Sequence, residues 1–111
     1  TLITSSAASD VYKRQLPVPS RVILSNRISS THTVIEVNGR DMPGLLHRLT
    51  RTLAELGLQI QTATVSTYGE RVVDVFYVKD LFGLQVHNEA RLTTIRDRLL
   101  EVFDQVGEAA E

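Results

Sequence analysis

Apolar positions recur along this chain with two periods, and the switches between them predict its elements. Arg21–Asn26 (RVILSN) is a short β-branched run, and in Thr33–Asn38 (TVIEVN) Ile35 and Val37 fall on one face with Glu36 on the other, the period of a half-buried strand. The polar stretch between them is short enough to close a hairpin, which predicts antiparallel pairing. From Leu45 the spacing changes: Leu45, Leu46, Leu49, Leu53 and Leu56 follow each other at steps of mostly three and four, with Arg48, Arg51 and Glu55 between them. That is one apolar stripe of a helix. Pro43 suits its first turn, Asp41 is placed to cap the amides of Gly44 or Leu45, and Gly57 suits a left-handed end. Leu58–Tyr68 and Arg71–Lys79 are rich in Val, Thr and aromatic residues and flank Gly69-Glu70, a second hairpin. The helical period returns at Leu92, Ile95, Leu99, Val102 and Val106, with Arg91, Arg96, Asp97, Glu101 and Asp104 on the wet side and Asn88 as a candidate cap.

The predicted order is therefore strand, strand, helix, strand, strand, helix. Without the first strand it is the split βαββα unit, one strand short of the ferredoxin-like fold. The hairpin partner Arg21–Asn26 can fill that fourth position from the N-terminal side. The expected fold class is α+β, a four-stranded antiparallel sheet with both helices on one face. The expected core is Ile35, Val37, Leu45, Leu49, Leu53, Ile60, Val73, Val75, Leu92, Ile95, Leu99 and Val102. In the strand Arg71–Lys79 this assignment reads the charged Asp74 as an outward residue, with Val73, Val75 and Tyr77 inward. Val72, Phe76 and Val78 then point outward, which implies a covered face or a partner.

Length and composition narrow the functional classes. With 111 residues, one compact core is the ceiling. A net charge of −1 supplies no strong drive toward phosphate backbones or anionic lipid, so neither nucleic acid nor membrane is an expected partner. The absence of cysteine removes disulfides, thiolate metal sites and Cys nucleophiles, and fits a cytoplasmic setting. The first fifteen residues lack a signal-length apolar run, and DVYKRQ (Asp10–Gln15) matches one reading frame of a transposase adapter end. Thr1–Gln15 is therefore expected to be a non-native, disordered sequencing scar, Leu16–Ser20 (LPVPS) a linker, and residues 21–111 the domain, with its core between 33 and 104.

Sites with catalytic or metal chemistry are not evident. His32, His47 and His87 are scattered without metal-ligand spacing, His47 reading as a helix-surface residue, and Phe76 and Tyr77 alternate faces rather than forming a base-stacking platform. No nucleophile elbow, phosphate loop or acid–base carboxylate pair appears. The informative segment is Asn38–Leu46 (NGRDMPGLL), where a turn delivers a strand end to a helix N-terminus with unpaired amides and partial positive charge. A carboxylate is well placed there, and the Asp41 side chain offers a partner for an α-ammonium. The competing reading is that Asp41 only caps and Pro43-Gly44 only shape the turn.

The run DMPGLL after a strand, followed by a helix, LGLQI and a hairpin, resembles the ACT domain, a ligand-sensing module of amino-acid metabolism with a ferredoxin-like fold. THTVIEVNGRDMPGLLHRLTRTLAELGLQI and STYGERVVDVFYVKDLFGLQV are similar to the C-terminal ACT domain of bifunctional PII uridylyltransferase/uridylyl-removing enzymes, over roughly Val18 to Phe103. The resemblance implies a parent whose nucleotidyltransferase domain adds UMP to the PII signalling protein using Mg and UTP. An HD-type hydrolase domain then removes it, and two ACT domains sense glutamine. This chain would be the last of these, a regulatory fragment without cofactor, metal or catalytic residues of its own, pairing with an adjacent ACT domain or an ACT dimer. The ligand positions implied are Asn38, Asp41, Met42, Pro43, Gly44, Leu45 and Leu46, with Thr64, Val65 and Ser66 as a second wall. The alternative is a structural or dimerisation ACT repeat of another amino-acid-regulated protein, with no ligand here.

Overall fold

The structure is a computed structural model that describes residues 18–110, with side chains described through residue 105. The expected scar Thr1–Gln15, the start of the linker and the side chain of Val106 lie outside the described residues. Four strands, β1 (Arg21–Ser25), β2 (Thr33–Arg40), β3 (Gln59–Tyr68) and β4 (Arg71–Lys79), form one antiparallel sheet in the order β1-β2-β4-β3. Helix α1 (Leu45–Glu55) follows β2 and helix α2 (Glu89–Ala110) follows β4. The two consecutive hairpins and the central β2–β4 pair give the expected ferredoxin-like arrangement. β1 occupies the fourth-strand position, with Val22 opposite Val37 and Leu24 opposite Ile35.

Each element ends where its chemistry stops it. Gly69 alone carries positive φ in the two-residue β3–β4 turn, as a type II′ hairpin requires. Helix α1 stops at Gly57 (φ 77°), where the Leu58 amide reaches back to the Leu53 carbonyl at 3.0 Å, and Arg91 Nη2 donates to the Leu56 carbonyl at 3.0 Å. Asn88 caps α2 as expected, its Oδ1 accepting the Arg91 amide at 2.9 Å. The β4–α2 connection is stapled by Asp80 Oδ1, which accepts the amides of Phe82 and Leu84. Gln85 Nε2 donates to the carbonyls of Asn26, Ser29 and His32.

Both helices lie on the face that carries Ile35 and Val37. The core there gathers Leu45, Leu49 and Leu53 of α1, Ile95, Leu99, Val102 and Phe103 of α2, and Val72, Phe76 and Val78 of β4. The expected inward face of β4 is therefore reversed. Ile35 pairs with Phe76 and Val37 with Asp74, and directly paired residues share a face. Val73, Val75 and Tyr77 take the opposite, half-buried side. Ile60 and Leu92 pack on the core without full burial. The apolar outward surface inferred for Val72, Phe76 and Val78 does not exist, because those side chains are the core. Val22, Leu58 and Val86 also join it. At the end of β2, a Cβ on Gly39 would overlap the Phe103 ring, so the close approach of α2 to the sheet needs glycine there.

Replacing Leu49 with Ala, fully buried in α1, should cost about 2–5 kcal/mol, and Phe76→Ala about 3–5 kcal/mol. Val75→Ala, on the other face of the same strand, should cost distinctly less. Chemical denaturation of the three variants checks the face assignment, and a larger loss at Val75 than at Phe76 would reverse it.

Candidate functional site

The corner between the end of β2 and the start of α1 is built by backbone constraints. The Asp41 amide donates to the Glu70 carbonyl at 2.8 Å, which ties the loop to the β3–β4 turn. Gly44, in the left-handed region at φ 79°, occupies the N-cap position of α1 and makes no side-chain cap. Pro43 thus precedes the helix instead of lying in its first turn. The Leu45 amide is taken by the Met42 carbonyl at 3.1 Å, and the Arg48 amide by the Gly44 carbonyl at 3.1 Å. Among the described residues, the amides of Leu46 and His47 have no such acceptor, and they face out at the positive end of the helix dipole.

Asp41 does not cap, contrary to the sequence expectation. A left-handed glycine reverses the chain at the N-cap position itself, so the carboxylate three residues earlier does not meet the first-turn amides. Asp41 is exposed. Its charge stays available to a ligand.

The other expected site residues divide by strand parity. Met42 packs half-buried against the core, Leu45 is buried within it, and Leu46 is 42% exposed beside the open amides. Asn38 lies on the sheet face away from the helices, where its Nδ2 donates to Glu36 Oε2 at 2.8 Å. Its side chain does not reach the corner. Thr64 and Ser66 pair with Val75 and Val73 and share that far face, whereas Val65 pairs with Asp74 on the helix side. Of the proposed second wall, only the Val65 side chain faces the same way as the corner.

Asp74 is the residue that sequence reasoning missed. It is 1% exposed, and its Oδ1 has no hydrogen-bond partner. The contrast with Thr33, the other fully buried polar side chain on this face, is informative. Thr33 Oγ1 donates to Asn26 Oδ1 at 2.6 Å and accepts the Val86 amide at 2.8 Å. A buried oxygen without such partners costs about 1–3 kcal/mol. Burial is the main reason the Asp74 carboxyl is pushed up to about 6, and the nearby charge of Asp41 adds to it. The sequence signal available was parity: on β4 the odd positions include Arg71, Tyr77 and Lys79, and the even positions carry a single charge.

Other charged surfaces are ordinary. Arg98 of α2 bridges the groove between the helices to Glu55 of α1 at 3.3 Å, and Arg51 pairs with Glu55 within α1 at 3.4 Å; these side chains are solvent-accessible, and such pairs contribute little. No described helix is long and apolar enough to cross a membrane.

Comparison with known proteins places this geometry. Residues 28–105 match the family described as "ACR family N-terminal ACT domain". Over an alignment of 103 residues that covers 85% of this chain and 11% of the relative, it is 57% identical to a bifunctional uridylyltransferase/uridylyl-removing enzyme of Azospirillum brasilense. The enzyme of the same name from Rhodospirillum rubrum is 58% identical over 92 residues, 83% of this chain and 10% of the relative. That of Nitrobacter hamburgensis is 40% identical over 110 residues, 99% of this chain and 12% of the relative. The chain thus spans about a tenth of the length of these curated relatives. No solved structure matches significantly.

Asp74 gives the stability curve a definite sign. A carboxyl raised from 3.8 to about 6 on folding favours the folded state below about pH 4, and that advantage is lost as pH rises through about 6. Asp74→Asn removes the titration. The stability of the variant relative to wild type should therefore rise by up to about 3 kcal/mol between pH 4 and pH 7. Urea unfolding at both pH values measures it, and a constant difference would show that Asp74 is not a raised carboxyl.

Proposed function

Because this chain belongs to the ACT domain family, we propose that it is a regulatory amino-acid sensor whose ligand is glutamine, held at the Asp41–Leu46 corner. In this reading it is the C-terminal ACT domain of a cytoplasmic PII uridylyltransferase/uridylyl-removing enzyme that controls nitrogen assimilation. The observation that carries the site is the free Asp41 carboxylate beside the uncapped amides of Leu46 and His47. Those groups complement the ammonium and carboxylate of a zwitterion. Leu46 and Val65, both partly exposed on the helix side, offer apolar walls for the ligand's methylenes. The relatives' names support the parent assignment.

The fragment acts by binding. Ligand with higher affinity for one of two parent states shifts the balance between UMP addition and removal. Mg and UTP belong to the parent's transferase domain, and PII is met through the parent. A second reading, a pairing repeat that binds no ligand here, is favoured by one observation. Strand β3 is an edge strand exposed along most of its length, and an unpaired edge invites another chain. An adjacent ACT domain against β3 is compatible with both readings, since it would close the side of the corner near Val65.

Asp41→Asn separates the readings. Asp41 caps nothing, so the melting temperature should hardly change, while glutamine affinity should fall by about 1.5–3 kcal/mol, the worth of a charged hydrogen bond. In the parent enzyme both activities should persist with a weaker response to glutamine. Calorimetric titration of the 111-residue chain measures the first effect. Absence of glutamine binding by wild type would leave the pairing role.

A further inference from the structure

Asp74 is buried on the helix-covered face of β4, paired with Val37 four residues before Asp41, and its Oδ1 has no hydrogen-bond partner among the described residues. From β2 it faces Val37, from β3 Val65, and along its own strand it is flanked by Val72 and Phe76. Helices α1 and α2 turn Leu45, Leu49, Val102 and Phe103 into the same core. The charge of Asp41 acts on it in the same direction as burial. An acidic side chain is therefore buried with an orphaned oxygen, within reach of the charge of Asp41, on the same core face as Leu45, the first residue of the uncapped helix α1. For hydrophobic packing alone, this arrangement is worse than any aliphatic residue at the position.

We propose that Asp74 is the inner carboxylate of the ammonium subsite, standing behind Asp41, and that the arrival of a cationic amino group at this corner is coupled to its ionisation. The inference rests on the amino-acid-sensing reading and assigns to it a residue outside the Asp41–Leu46 segment. In the empty site Asp74 holds its proton up to about pH 6, because ionisation places a negative charge in an apolar core near another one. When an α-ammonium docks at Asp41, the positive charge stabilises the Asp74 carboxylate and offsets the repulsion from Asp41. Where Asp74 is still protonated, at and below about pH 6, the proton leaves to solvent on binding; no bond in the ligand changes, and its ammonium and carboxylate keep their charges between about pH 5 and 7. Selection follows from the same chemistry: a compound with a protonated amine gains from two carboxylates, and its deaminated 2-oxo-acid counterpart is repelled by them.

The test is calorimetric titration of the 111-residue chain with glutamine at about pH 7 and pH 5, for wild type and Asp74→Asn. With a carboxyl titrating near 6, the binding-competent fraction of wild type should fall about tenfold between those pH values. Asp74→Asn should bind at pH 7 about as weakly as wild type does at pH 5, and should lose the pH dependence. Carbon-detected NMR of the Asp74 carboxyl in the unliganded chain follows the group without any ligand. It should titrate near 6 and shift downward when glutamine is added. Wild-type pH dependence retained in Asp74→Asn, or a carboxyl already ionised at pH 5, would overturn the role of Asp74 and leave glutamine sensing intact. Failure of wild type to bind glutamine at either pH would overturn both.

Discussion

The pairing of β2 with β4 is the constraint on which the rest of this domain depends. These are the two central strands, and their register sets Ile35 against Phe76 and Val37 against Asp74 on the face that the helices cover. Once that register is fixed, parity leaves no freedom: a one-residue slip would turn the Phe76 ring to the open face and bring Tyr77 beneath the helices. Both helices are single-striped and can bury that stripe only against this face. The same register that builds the core therefore delivers a carboxylate into it. Asp74 is a consequence of strand geometry before it is anything else.

What the chain reveals by itself follows the strength of its periodicities. The leucines of α1, the glycine turn between β3 and β4 and the β1–β2 hairpin are all local signals, and each element forms where those signals place it. Placement of β1 at the vacant edge was also legible, because the split βαββα order leaves one position and one strand to fill it. The inner face of β4 was not read correctly, because both of its faces carry aliphatic residues and a single acidic side chain was allowed to break the tie. Ends of the strand were the better guide. Arg71, Tyr77 and Lys79 share the odd face with a polar or charged group each, and a strand end that must reach solvent weighs more than one charge in the middle.

The corner shows a second kind of limit. Asp41, Met42 and Gly44 are recognisable in sequence as a turn before a helix, and an acidic residue there reads naturally as a cap. Whether it caps depends on the conformation of Gly44, whose backbone is left-handed at the N-cap, in a loop whose Asp41 amide is tied to the β3–β4 turn. That tie spans two segments distant in the chain. Strand parity, for its part, sends the side chains of Asn38, Thr64 and Ser66 to the far face: proximity along a strand is not proximity on a face.

A sensor and a stable domain place opposite demands on the same residues, and on the proposed reading this corner is built to the sensor's. Filling position 74 with an aliphatic side chain would add core and remove a charge penalty, and in the proposed sensor it would leave Asp41 as the lone carboxylate facing a bound ammonium. Keeping a carboxylate there lowers the stability of the domain at neutral pH, and under the proposal a bound cation would return part of what is lost. Binding free energy is then expressed as added stability of one state, in proportion to RT ln(1 + [L]/Kd). Coupling of that kind needs no moving lid. It needs only a site whose unliganded form is electrostatically incomplete, placed on the shared core face where both helices and the central strands would register its completion.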